Sequence, residues 1–232
     1  HHHRRHHRRP QEGNHLPKPI TIAVLSLFCL VTLRSLLEAS DQKHPENYWQ
    51  SIKKRQAALD AEIAKDGGTE YCMSFEPDLL RDQASLLLQN GDTVKSAQVY
   101  STFWAAGSKN AGKGYNRQFV TDALNLAGVY QAQGSQMHAL NCYQSIFDYN
   151  IRRLEQSDPV VARDFNNLGV AYYLAANTEK DTREREKLYD ASKKMYKAAL
   201  AVADVKKAPF LVSTIKHNFT LTTRDYKIRK KV

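Results

Sequence analysis

The sequence predicts an all-α chain of α-solenoid architecture: about three helix hairpins stacked in order, closed by a C-terminal capping helix and preceded by a single N-terminal transmembrane helix. Three observations lead there. One is a recurring spacing: a small residue, a bulky residue three later, a second small residue about twelve later, and a bulky residue four beyond that. Another is an uncharged run, Ile20–Leu33, behind a basic flank. The third is composition: 232 residues, 42% hydrophobic and 25% charged, give a globular chain with room for one domain plus appendages.

The net charge of +10 would raise nucleic acid as a partner, but its distribution argues otherwise. Residues 1–19 carry +4 and residues 206–232 carry +7, which leaves about −1 for everything between. The folded middle is therefore not a basic surface, and no nucleic-acid partner is expected; tails of this kind flank membranes or solvate an end. Cys29, Cys72 and Cys142 contain no C-x-x-C pair and are too few for a disulfide framework, so free thiols are expected. Only Cys72 and Cys142 lie outside the apolar run and could pair.

Taken in order, residues 1–19 form a basic tail, and residues 20–37 form the transmembrane helix or signal anchor. Continuing the apolar run through Arg34 to Leu37 gives 18 residues, with the arginine near the end where it can snorkel. A cleaved signal peptide is the rival reading, disfavoured because "SLLEAS" lacks small residues where cleavage needs them. Arg5, Arg8, Arg9 and Lys18 precede the span and Lys43 alone follows it closely, which predicts a cytoplasmic N-terminus with the bulk of the chain on the extracytoplasmic side. The arginine-broken histidine run at the start reads as a solvated tail, not a metal site. Residues 38–75 read as a juxtamembrane amphipathic helix and linker. Pro45 can open the helix, and Trp49, Ile52, Gln56, Leu59 and Ile63 form a narrow stripe that packs on the following domain or pairs with its copy in a homodimer. "KDGG" ends it.

The recurring spacing occupies residues 76–207. Ala84, Leu87, Ser96 and Tyr100 form the first copy, and Ala127, Tyr130, Ala139 and Tyr143 the second. Gly169, Tyr172, Ala191 and Met195 form the third, with ten extra residues before its later pair. Gly134 falls at the turn of the second copy, where positive φ is wanted. This pattern resembles the tetratricopeptide repeat, carried by Leu126, Ala127, Tyr130, Gly134, Ala139, Tyr143 and Ile146, and by Phe165, Leu168, Gly169, Tyr172, Ala191 and Ala198. Gln83 stands where the family prefers Leu, and the spacing near 42 is similar to the longer repeats of kinesin-light-chain-like proteins. The small residues let helix backbones approach, the aromatic residues fill the space beside them, and stacking supplies a core that no single hairpin has. Residues 208–232, which open on "APFL" and turn basic, complete the stack as the capping helix and basic tail.

Several local features look like chemistry. "GSKNAGKG" has the glycine and lysine spacing of a phosphate loop, but Gly114 replaces the Ser or Thr that would hold magnesium and no strand precedes it; an inter-repeat loop is the better reading. His138 and Cys142 share a helix face without a third ligand or an orienting carboxylate. No catalytic residue, metal site or cofactor is expected. Asn218-Phe219-Thr220 is a glycosylation sequon that matters only if exposed.

What the resemblance implies is a concave face of first helices that holds an extended peptide. Its positions map to Arg81 and Ser85, to Asn125, and to Arg163, Asn166 and Asn167. Asparagine can hold a peptide backbone at both C=O and N–H, and arginine can hold a carboxylate by two parallel bonds. Asn167 departs from the carboxylate clamp of chaperone-binding members, which has a basic residue there. The expected role is a membrane-anchored scaffold for a protein or peptide partner, without catalysis. The alternative is a structural subunit packed permanently in a larger membrane complex.

Overall fold

The computed structural model describes residues 46–109, 112 and 114–231. The expected basic tail, the expected span over residues 20–37 and Cys29 lie outside these residues. Among the described residues the chain forms α-helices and no strand, and no helix is long and apolar enough to cross a membrane. The helices are α1 (Glu46–Lys65), α2 (Gly68–Phe75), α3 (Pro77–Gln89), α4 (Thr93–Lys109), α5 (Arg117–Ala132), α6 (Gln136–Ile151), α7 (Pro159–Thr178), α8 (Thr182–Val202) and α9 (Pro209–Arg229).

Local chemistry sets these boundaries. Pro77, Pro159 and Pro209 open α3, α7 and α9, where a missing N–H costs nothing. Asn116, Asp158 and Asp181 cap α5, α7 and α8 by accepting from the amides of Phe119, Val160 and Glu184 at 3.0, 2.8 and 2.8 Å. Gly91 (φ 84°) and Gly134 (φ 75°) make the tight turns of the first two hairpins in left-handed backbone that a β-carbon would strain.

The helices pack on their neighbours in sequence: α3 on α4, α4 on α5, and so on to α9. Two additions complete the stack. At one end α1 lies antiparallel to α3, with Ile52 and Ile63 buried and Gln83 donating to Asp60 at 2.9 Å. The polar Gln83 thus has a polar partner across that contact, and the stripe considered for a homodimer lies against the chain's own α2 and α3. At the other end α9 packs on both α7 and α8. The short helix α2, which buries Cys72 beside Ile63, Leu80 and Phe103, has no counterpart in the sequence reading. Cys72 and Cys142 are free thiols in the structure.

Each hairpin closes on the same four positions. Ala84, Ser96, Tyr100 and Phe103 are buried in the first, and Ala127, Ala139, Tyr143 and Ile146 in the second. In the third these positions are Gly169, Ser192, Tyr196 and Ala199. The sequence-based register of the third copy is therefore off by one: Ser192 and Tyr196 occupy the seam, while Ala191 is only half-buried and Met195 packs at the edge of the α5–α6 cluster. Ser96 and Ser192 fix the register, since each hydroxyl donates to the carbonyl of the small residue opposite, Ala84 at 2.7 Å and Gly169 at 2.6 Å. The sequence separation is 23 in the third hairpin against 12 in the first, an excess of 11, not ten. That excess lengthens α7 by about one turn and α8 by about two, so both helices keep their inward faces at about 3.6 residues per turn.

Gly169 shows how tight the seam is. A β-carbon there would lie 2.5 Å from Cε1 of Tyr196, whose ring is fully buried and whose hydroxyl accepts from Thr222 at 3.3 Å.

If Ser192 holds the seam, Ser192→Ala loses a buried hydrogen bond and lowers stability by about 0.5–1.5 kcal/mol, whereas Ala191→Ser stays within about 0.5 kcal/mol of wild type. Urea unfolding of the two variants decides it: a larger loss at Ala191 contradicts the register.

Candidate functional site

The face offered by the first helices of the hairpins carries the residues expected to hold a peptide, and most of them are engaged within the chain. Arg81 projects from α3 to α5. Its Nε and Nη2 donate to the two carboxylate oxygens of Asp122 at 3.0 and 3.1 Å, its Nη1 donates to Asp78 at 2.8 Å, and its guanidinium lies 4.4 Å from the centre of the Phe103 ring. The fork expected to grip a ligand carboxylate grips Asp122, which is 3% exposed and also accepts from Gln118. Arg163 is likewise held, donating to the neighbouring Asp164 at 3.0 and 3.3 Å. Asp164 accepts from Asn150 of α6 at 2.6 Å as well.

Asn166 and Asn167 are fully buried on α7. Asn166 accepts from Asn218 of α9 at 3.0 Å, so the capping helix covers a position expected to face a ligand. Further along the same contact, the Tyr173 hydroxyl donates to Asp225. Burial, and then that bond, push the Tyr173 phenol up to about 12. Ser85 and Asn125 are the expected site residues that remain half-exposed without an ion pair or a place inside the α7–α9 contact. Ser85 accepts from Gln89 at 3.4 Å.

Asp122, Asp164, Asn150 and Asn218 shape this face and were not foreseen. For the two aspartates a signal was present. They stand 42 apart, the separation of Ala127 and Gly169, so an acid recurs at one repeat position. Asp164 carries a further consequence. Burial raises its pKa above the ordinary 3.8, against the opposing pull of Arg163 and the Asn150 bond.

The features that resembled chemistry have structural places. Gly107 belongs to α4, not to a loop: a β-carbon there would lie 2.2 Å from the Phe119 ring, so the glycine serves the approach of α4 and α5. The Gly112 carbonyl accepts from Arg153, which also lies over the Tyr149 ring at 3.8 Å, while Lys113 lies outside the described residues. His138 is exposed beside the Tyr130 ring, and burial pushes the Cys142 thiol up to about 11, the reverse of an activated nucleophile. Among the described residues no group of His, Cys, Asp and Glu could hold a metal ion. Asn218 of the sequon is fully buried, so the folded chain offers it to no glycosylating enzyme.

No protein-family model, curated protein or solved structure matches this chain.

A carboxyl group with a raised folded-state pKa binds its proton more tightly folded than unfolded, so stability falls as pH rises through that interval. Relative to wild type, Asp164→Asn should therefore gain stability as pH rises from about 3.8, an ordinary aspartate value. Urea midpoints of the two proteins across pH 3–7 test this; a difference that does not change with pH refutes it.

Proposed function

We propose that the chain is a tetratricopeptide-type α-solenoid acting as a protein-interaction scaffold without catalysis. In this reading residues 20–37 anchor it to a membrane, its N-terminus is cytoplasmic and its repeats are extracytoplasmic. The observation that carries the proposal is the threefold recurrence of one seam, Ala84 with Ser96 and Tyr100, Ala127 with Ala139 and Tyr143, and Gly169 with Ser192 and Tyr196. Stacked hairpins of this kind hold a long, rigid face without a deep central cavity, a form suited to an extended partner. Ser85 and Asn125 supply a hydroxyl and an amide on adjacent first helices, the groups that pair with a peptide backbone.

A second reading, a subunit packed permanently in a larger membrane complex, is favoured by one observation. Phe75 is 71% exposed and Tyr71 44%, with their rings 4.8 Å apart on α2. Permanent interfaces cover apolar pairs of this kind.

Photoreactive residues introduced singly at Ser85, Asn125, Phe75 and the exposed Lys197 of the full chain, in its own membrane, separate these readings. Crosslinks to a polypeptide from Ser85 and Asn125 are expected. Crosslinks from Phe75 alone, with co-purification at fixed stoichiometry, favour the subunit, and crosslinks from Lys197 alone contradict both.

A further inference from the structure

The extra turns of the third hairpin border a cavity shared with the last helix. α9 runs antiparallel to α8, with Thr222 against Tyr196 and the Tyr226 ring 5.0 Å from that of Tyr189. The last turn of α9 therefore meets the first turns of α8, which belong to the added length. Between them lies a cavity of about 340 Å³. Tyr189 and Tyr226 form its apolar wall, and Arg185, Arg229 and Lys230 line it together with Glu186.

The charges around it are unbalanced. Among the described residues Arg185 donates to the hydroxyl of Thr182, at 3.3 Å, and Lys230 lies 5.7 Å from the Tyr226 ring centre. Among the described residues neither of these cations nor Arg229 has an ion-pair partner, although Lys187 and Lys193 nearby are paired with Glu184 and Asp190. Glu186 is the acid in the lining, so the cavity carries an excess of two positive charges. Two arginine forks beside tyrosine rings match one or two planar carboxylates. An extended polyanion or a lipid sheet would instead meet Glu184 and Glu186 and the Asp181 cap on the first turns of α8.

We propose that this cavity binds the carboxylates of an acidic segment in a partner polypeptide. The proposal takes from the scaffold reading only that the partner is a polypeptide, and it does not depend on Ser85 or Asn125. It places the specificity of the third hairpin in the inserted turns, where a repeat array can gain a binding feature without disturbing its seams.

The test is a titration of the full chain with a fluorescent peptide ending in two glutamates, against an amidated peptide ending in two glutamines and against phosphatidylglycerol vesicles. Saturable binding of the acidic peptide is expected, weakened at least about tenfold by Arg185→Gln/Arg229→Gln. The same loss of charge in the loop before α9, Lys206→Gln/Lys207→Gln, should leave it within about twofold. Equal weakening by both pairs, equal binding of the glutamine peptide, binding of vesicles alone, or no binding overturns the proposal. An unchanged unfolding midpoint in Arg185→Gln/Arg229→Gln confirms that the fold is intact, and Arg185→Lys/Arg229→Lys keeps the charge if that pair does not fold. Crosslinking at Ser85 and Asn125 is read separately, so either result can fail alone.

Discussion

The seam between a small residue on one helix and a ring on the next governs the architecture. At Gly169 the Tyr196 ring occupies the volume of a β-carbon, and at Ala84 and Ala127 the methyl group is fully buried. This approach lets α7 and α8 close along their whole length and buries Tyr196 completely, a contribution of about 1.5–3 kcal/mol for a side chain of that kind. It also fixes the order of the stack. A hairpin closed on its own seam still presents an apolar outer face, which only the next hairpin covers, and α1 and α9 meet that need at the two ends. The exposed residues along the middle of α9, Lys216, His217, Thr220 and Arg224, are polar, while Phe210 and Ile228 are exposed near its two ends.

Polar ties run between one hairpin and the next, and from the third hairpin to α9. Arg81 with Asp122 joins α3 to α5, Asn150 with Asp164 joins α6 to α7, and Asn166 with Asn218 joins α7 to α9. Such contacts add little net stability, because each group is desolvated to form them, but leaving one partner alone is costly. Their consequence is specificity of arrangement: an apolar face can slide along another, whereas a bidentate arginine–carboxylate pair fits one placement. The face that invited a peptide is therefore largely an internal stitch, which leaves the proposed recognition its half-exposed margin and the charged cavity between α8 and α9.

Much of the fold is legible in the sequence because local chemistry writes it. Prolines open three helices, Asn and Asp cap three, and Gly91 and Gly134 turn two hairpins. The small-to-bulky spacing locates the seams of the first two hairpins directly. It misplaces the third because Ala191 with Met195 satisfies the same spacing as Ser192 with Tyr196. The tie-break was Ser96, whose place in the first copy Ser192 repeats with the same bond to a helix carbonyl. The site is less legible for a different reason. Asn166 has the composition and position of a groove residue, and what removes it from solvent is Asn218, 52 residues away. α2 leaves no periodic trace in eight residues, and its burial of Cys72 depends on α1 and α3 being in place.

The most direct measurement of the seam is a double-mutant cycle between Gly169 and Tyr196, read by urea unfolding. Helix propensity alone makes Gly→Ala stabilising by about 1 kcal/mol, so any loss must come from the ring opposite. Gly169→Ala is expected to destabilise the chain by about 1–3 kcal/mol when Tyr196 is present, and to be neutral or stabilising when the ring is replaced in Tyr196→Leu. The same effect of Gly169→Ala in both backgrounds would contradict the account of how these helices meet.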